Sequence, residues 1–193
     1  LSTVTWLLEG EALHSDSLGT EQIIRPGQLN LMTAGHGISH AELAAEPPFR
    51  GVQMWIAQPE GTRHGESRFE HQAELPRFEH ERARGVVLAG SLHGADAPTT
   101  TDTPLIGADV TLEAGRTMLQ TTSTFEHAVV PLDGRVKVGP EVLQPGWIGL
   151  VPEGVSELPV EAEHDDVRFL LIGGEPLGER VSMWWNFVAR DRD

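Results

Sequence analysis

The sequence predicts an all-β chain folded as two barrels in tandem, and three observations carry that prediction. Glycine and proline punctuate it roughly every ten residues (Gly10, Gly19, Pro26-Gly27, Gly35, Gly37, Pro47-Pro48, Pro59), and the pieces between are short and rich in Val, Ile, Leu, Thr and Trp. No segment carries a helical period. A weak internal repeat sets Leu8-Glu9-Gly10 and Pro26-Gly27 beside Leu132-Asp133-Gly134 and Pro145-Gly146, and each copy then reaches a glycine turn, at Gly35 and at Gly154. At 193 residues the chain is long enough for two such units to bury cores of their own.

In chain order, strands are expected over Thr3–Leu8, Gln28–Met32, Gly51–Ala57, Gly85–Gly90, Ala108–Leu112, Thr117–Thr122, His127–Leu132 and Val167–Ile172. The sharpest local signal is Asp133-Gly134 between His127–Leu132 and Val136–Val138, which predicts a tight hairpin with both turn residues at positive φ. The polar, Pro- and Thr-rich stretch Ala95–Pro104 reads as a linker. The first barrel is therefore expected over residues 1–94, the linker over 95–104 and the second barrel over 105–193.

Composition narrows the function. Asp and Glu outnumber Lys and Arg by 29 to 14, and the net charge of −15 repels phosphate backbones and anionic lipid, which argues against nucleic acid as a direct partner. With 39% hydrophobic and 22% charged residues and no apolar run of the ~20 residues a spanning helix needs, no membrane role is expected. The absence of cysteine removes thiolate ligands and cysteine nucleophiles, so any metal must rest on His and carboxylates.

The chemistry gathers in Met32-Thr33-Ala34-Gly35-His36-Gly37-Ile38-Ser39-His40-Ala41-Glu42. If Ile38 to Glu42 is extended, His40 and Glu42 project from one face of a strand and can meet one cation. Mixed imidazole and carboxylate ligation suits Fe(II), Mn(II), Ni(II) or Zn(II), and with open positions it is the ligation of non-haem oxygenases. An isolated His-x-Glu pair is also what any solvated strand can carry by chance.

The surroundings decide between those readings, because this stretch resembles the pirin family, a branch of the cupins. Pieces similar to the family are Thr3-Val4-Thr5-Trp6-Leu7-Leu8-Glu9-Gly10, His14-Ser15-Asp16-Ser17-Leu18-Gly19, Ile24-Arg25-Pro26-Gly27, the Met32–Glu42 segment, Gln53-Met54-Trp55-Ile56, Gly173-Gly174-Glu175-Pro176 and Trp185-Asn186-Phe187. The resemblance implies two tandem jelly-roll cupin barrels, with metal in the first alone. It also implies a site of three His and one Glu, of which His40 and Glu42 are the third and fourth ligands, and a cytoplasmic location. The first two ligands would form a His-x-His pair upstream of Leu1, and relatives continue into a helical tail past Trp185-Asn186-Phe187, so the chain is expected to be cut short at both ends. Ser2 departs from the family, where many members carry Glu.

The remaining histidines and tryptophans receive plainer expectations. His14 matches a recurrent family residue and is read as a loop hydrogen-bonder rather than a ligand. His36, where relatives often carry Arg, is given a supporting or pocket-mouth role or simple exposure. His64, His71, His80 and His93 fall in polar stretches read as exposed loop. His127 and His164 lie in the second unit, where Val155-Ser156-Glu157-Leu158-Pro159 stands in place of the His40 region and carries no His-x-Glu, so that barrel is expected to hold no metal. Most of the five tryptophans are expected in the core, with Trp6 and Trp55 as candidates to flank the metal pocket.

Two functions follow from the resemblance. One is a quercetin 2,3-dioxygenase-like oxygenase, using one divalent metal (iron first, with Mn, Ni, Cu or Zn as alternatives) on a small aromatic substrate such as a flavonol, with Glu42 as ligand and general base. The other is a metal-dependent regulator that docks onto a protein partner, a transcription factor or a metabolic enzyme, for which the acidic surface suits a basic partner.

Overall fold

A computed structural model describes every residue except Ala45, Asn186, Arg192 and Asp193. The family-like residue Asn186 therefore lies outside the described residues. All regular structure among them is β-strand and turn. The chain divides into two units, Leu1–Glu74 with Leu177–Asp193, and Leu75–Pro176.

The first unit contains β1 (Ser2–Glu9), β2 (Ala12–Asp16), β3 (Glu21–Ile24), β4 (Leu29–Thr33), β5 (His40–Ala44), β6 (Arg50–Ile56) and β7 (Arg68–Gln72). These form two antiparallel sheets, ordered β6-β1-β4-β7 and β3-β2-β5. Side chains of β1 alternate. Leu7 packs with Ala12 and Ile24 of the second sheet, and Thr5 reaches Glu42 from that same face. Trp6, pointing the other way, is 1% exposed.

The second unit contains β8 (Arg77–His80), β9 (Ala83–Ala89), β10 (Ser91–Leu92), β11 (Ala95–Asp96), β12 (Leu105–Leu112), β13 (Gly115–Gln120), β14 (Glu126–Asp133), β15 (Val136–Val138), β16 (Glu141–Leu143), β17 (Gly149–Val151), β18 (Glu157–Ala162) and β19 (Val167–Gly174). A six-stranded sheet ordered β17-β14-β19-β12-β9-β8 faces a four-stranded one ordered β13-β18-β15-β16. Val87, Val110, Val129, Phe169 and Leu171 of the first meet Leu119, Val136, Leu158 and Val160 of the second in one continuous core. Each such side chain contributes about 1.5–3 kcal/mol on burial. The chain ends with β20 (Ser182–Trp184) and β21 (Phe187–Ala189), a two-stranded ribbon assigned to the first unit.

All eight predicted strands form, with ends shifted by a few residues. Two expectations are corrected. The hairpin at Asp133-Gly134 does not exist: β14 pairs with β17 and β19, whereas β15 pairs with β16 and β18 in the other sheet. Only Gly134 is left-handed there (φ 77°) while Asp133 remains in β14, so the pair turns a corner between sheets instead of reversing the strand. The two-residue reversal is Gly139-Pro140 between β15 and β16, opened by Gly139 at φ 56°. The boundaries also differ from 1–94, 95–104 and 105–193. β9 pairs with β12 from Ala83↔Leu112 onward and β8 pairs with β9, so residues 77–89 belong to the second unit. The expected linker is held inside that unit by β10–β11 pairing and by Thr99 Oγ1 donating to the Leu88 carbonyl (2.5 Å).

The weak repeat is a structural one. β1, β2, β3, β4, β5 and β6 have counterparts in β14, β15, β16, β17, β18 and β19. In both series the first strand pairs with the fourth and sixth, and the second with the third and fifth. Even the irregularity recurs, between Leu7 and Glu9 in one copy and Pro131 and Asp133 in the other.

Candidate metal centre

β2 and β5 lie side by side in the register His14↔Glu42 and Asp16↔His40, which puts four polar side chains on one face of neighbouring strands. One ligand atom each of His14, His40 and Glu42 lies within 4.8 Å of the others. Among the described residues this is the one group of three or more His and carboxylate side chains so close together.

Glu42 is held on both oxygens. Thr5 Oγ1 donates to Oε1 at 2.8 Å and Gln53 Nε2 donates to Oε2 at 2.7 Å. Thr5 and Gln53 are cross-strand partners on β1 and β6, so one sheet presents two donors to a carboxylate carried by the other. The same row continues through Asn30 on β4 to His71 on β7, where His71 Nδ1 lies 2.8 Å from Asn30 Oδ1. Asn30 Nδ2 is buried without a hydrogen-bond partner, and burial pushes the His71 imidazole below its ordinary range.

His14 is 1% exposed and stacked on Phe69, with ring centroids 4.5 Å apart. Its Nε2 lies 3.1 Å from Asp16 Oδ2, and Asp16 Oδ1 accepts the main-chain N–H groups of Leu18 (2.9 Å) and Thr20 (3.1 Å). Burial pushes the Asp16 carboxyl up, but the hydrogen bonds from His14, Thr20 and Leu18 outweigh it and leave the group below the usual carboxylate range. His14 Nδ1 is buried, has no hydrogen-bond partner, and lies 3.6 Å from Glu42 Oε1. A donor set of imidazole nitrogens and a carboxylate, with one buried donor atom unpaired, fits a first-row divalent ion.

The structure thus brings His40 and Glu42 to one face, and it adds His14, which sequence reasoning placed in a loop. The signal was available: His14-Ser15-Asp16 has the same two-residue spacing as His40-Ala41-Glu42. His71 also leaves the expected exposed loop for the interior row. His36 is exposed, its Nδ1 lies 2.9 Å from the Gly65 carbonyl, and it lines a different cavity of about 270 Å³ with Arg63, His64 and Arg190. Gly35 makes that turn possible, since at φ 51° a Cβ would sit 2.3 Å from the Gly65 oxygen. Trp6 is core, on the face of β1 opposite Thr5. Trp55 shares the face of Gln53, two residues away, and is 41% exposed. Ser2, on the Trp6 face, bonds Thr33 at 3.0 Å between hydroxyls.

Family models match both ends of the chain, the one described as pirin over residues 1–56 and the one described as the pirin C-terminal cupin domain over residues 107–193. A Pseudomonas aeruginosa protein named for quercetin 2,3-dioxygenase is 41% identical over 195 residues, aligned with 100% of this chain and 62% of its own length. A pirin-like protein of Caulobacter vibrioides is 34% identical over 201 residues, covering 100% of this chain and 69% of that protein. The crystal structure of quercetin 2,3-dioxygenase from Acinetobacter baumannii superposes with a TM-score of 0.92 at 39% identity, over 98% of this chain and 64% of that one. The chain therefore spans less than two thirds of the length of the first of these relatives and of that solved chain. It has the all-β, two-domain cupin fold and belongs to the pirin family.

Proposed function

We propose that this chain carries the metal centre of an oxygenase of the quercetin 2,3-dioxygenase type, with His40 and Glu42 as metal ligands, iron the first candidate ion, and a flavonol-like aromatic as substrate. The observation that carries the reading is the Glu42 carboxylate, fixed on both oxygens by Thr5 and Gln53 and flanked by the imidazoles of His14 and His40. A divalent ion held there by His40 and Glu42 would supply Lewis acidity toward a substrate hydroxyl. Glu42 accepts the proton of that hydroxyl. Its two hydrogen bonds keep the carboxylate oriented while it does so. Trp55, on the Gln53 face and partly open to solvent, offers a flat apolar wall to an aromatic ring.

Oxygen uptake by the protein supplied with Fe(II), Mn(II), Ni(II) or Cu(II) and a flavonol tests this. Glu42→Gln keeps the size and one coordinating oxygen but cannot take a proton, so turnover falls by more than metal occupancy; equal losses remove the base role. With no turnover for any metal, the reading passes to a metal-dependent docking module. Its net charge of −15 favours a basic protein partner, and capture of that partner only by metal-loaded protein is then expected.

A further inference from the structure

Two imidazoles meet in the second unit, each carried by the end of a hairpin. His80 closes β8 just before the Glu81-Arg82 turn into β9, and His93 with Gly94 forms the turn between β10 and β11. Their rings are stacked, with centroids 3.9 Å apart and planes 12° apart, and the core residue Phe78 lies 5.5 Å from His93. Neither histidine lies in the exposed loop expected for it: both are half-buried, and His93 Nε2 is buried without a hydrogen-bond partner. The turn itself does not need this imidazole. His93 (φ 47°) and Gly94 (φ 81°) are both left-handed, and a two-residue hairpin of that kind favours asparagine before glycine. What the histidine adds is the stack and a group that changes charge near neutral pH.

The charges around the pair do little to admit a proton. Glu81, the acid that acts on His93, already accepts at Oε2 from Thr117 Oγ1 of β13 (2.5 Å). Arg82 donates to the Ala114 carbonyl (2.9 Å), Asp96 of β11 accepts from Ser91 of β10, and Arg77 and Glu79 alternate to the other face of β8. Burial first, and the neighbouring His80 second, hold the His93 imidazole below its ordinary 6.5, and Glu81 offsets only part of this. Little else fastens the hairpin. Its ladder has two rungs, Ser91↔Asp96 and Leu92↔Ala95, followed by the Ala97 N–H donating to the Gly90 carbonyl (2.9 Å). Leu92 and Ala95 rest in the core of the unit.

We propose that the β10–β11 hairpin is an acid-released flap latched by the stacking of His93 on His80, and that acidification lifts it and uncovers the core edge beneath Leu92 and Ala95. The closed form binds the proton less readily than the open one. The latch is therefore complete above pH 6.5 and weakens as pH falls from there, by up to about tenfold in the opening equilibrium per pH unit for each proton taken up. Amide hydrogen exchange, corrected for its intrinsic pH dependence and compared at about pH 7.5 and about pH 5, reads that opening. The Ala97 amide is expected to lose protection roughly tenfold or more on acidification, while Val130 and Leu170, paired within the six-stranded sheet, keep theirs. His93→Asn preserves the left-handed turn and should abolish the pH dependence; His80→Gln removes the repelling charge and should reduce it. Protection at Ala97 that does not fall, that falls in step with Val130 and Leu170, or that still falls to the same degree in His93→Asn overturns the flap. Titration of the wild-type histidines by nuclear magnetic resonance decides even if both variants misfold: His93 is expected to titrate below 6.5, and titration at or above that value overturns the latch.

Discussion

The two units answer the same topology with opposite interiors. In the first, one row of the sheet reads Gln53–Thr5–Asn30; in the second, the matching row reads Leu171–Val129–Gly149. Across from it, His14 and Glu42 stand where the second unit has Val138 and Val160, and His40 stands where it has Leu158. β5 is the edge of its three-stranded sheet and His40 is exposed, whereas its counterpart β18 is flanked by β13, whose Leu119 lies opposite Leu158 and leaves it 4% exposed. One copy of the unit is filled with hydrocarbon and supplies stability; the other gives up hydrocarbon at the same positions to hold polar groups that a small β unit does not otherwise need.

Exchanging residues between the copies is the strongest way to break that comparison. Val160→Glu writes the Glu42 carboxylate into the second unit without a Thr5 or Gln53 to hold it. An uncompensated buried charge costs about 3–5 kcal/mol, so a large loss of chemical stability is expected in a denaturant titration. A change under about 1 kcal/mol would mean that the second interior is wetter than its packing indicates. The reverse exchange, Thr5→Val with Glu42→Val, removes donor and acceptor together. It leaves Gln53 free to meet solvent, so the metal-free first unit gains about 1 kcal/mol or more while metal binding disappears. Destabilisation by the double variant would show that the polar row is structural rather than functional.

A smaller effect sharpens the comparison through pH. Burial holds His127 in the second unit below its ordinary 6.5, against a weaker opposing hydrogen bond that the imidazole donates to the Phe125 main-chain carbonyl. The folded state therefore binds this proton less readily than the unfolded chain does. Its stability contribution is complete above 6.5 and is lost as pH falls from there through the depressed folded value. His127→Gln should flatten the slope of stability against pH in that window and leave metal content untouched. An unchanged slope would assign the acid sensitivity elsewhere.

Much of this was legible in the sequence, and the misses share a cause. Strand positions followed from Gly and Pro spacing, and the His40-x-Glu42 pair followed from the period of two, because both are local rules. Asp133-Gly134 also obeys a local rule, yet the corner it makes depends on which sheet receives β15, a long-range choice that turn chemistry does not encode. His14 was passed over because its Ser- and Asp-rich neighbours look like a loop; only pairing with β5 shows that it faces Glu42. The domain boundary differs for the same reason, since residues 83–89 join the second unit by pairing with Gly107–Leu112 and residues 77–80 by pairing with residues 83–86, not through anything in their own composition. Trp6 and Trp55 look alike in sequence, and the alternation of β1 against β6 sends one into the core and the other to the Gln53 face.

The central claim is that the divalent metal belongs to the first unit and to His40 and Glu42. Metal content of the purified protein after loading with Ni(II) and exhaustive desalting tests it most directly, compared with His40→Ala, His127→Ala and His164→Ala. One ion per chain is expected in the wild type and in both second-unit variants, and none in His40→Ala, because loss of one donor leaves the remaining ligands too few to hold the ion through desalting. Metal content unchanged in His40→Ala, or lost in His127→Ala or His164→Ala, would contradict the account.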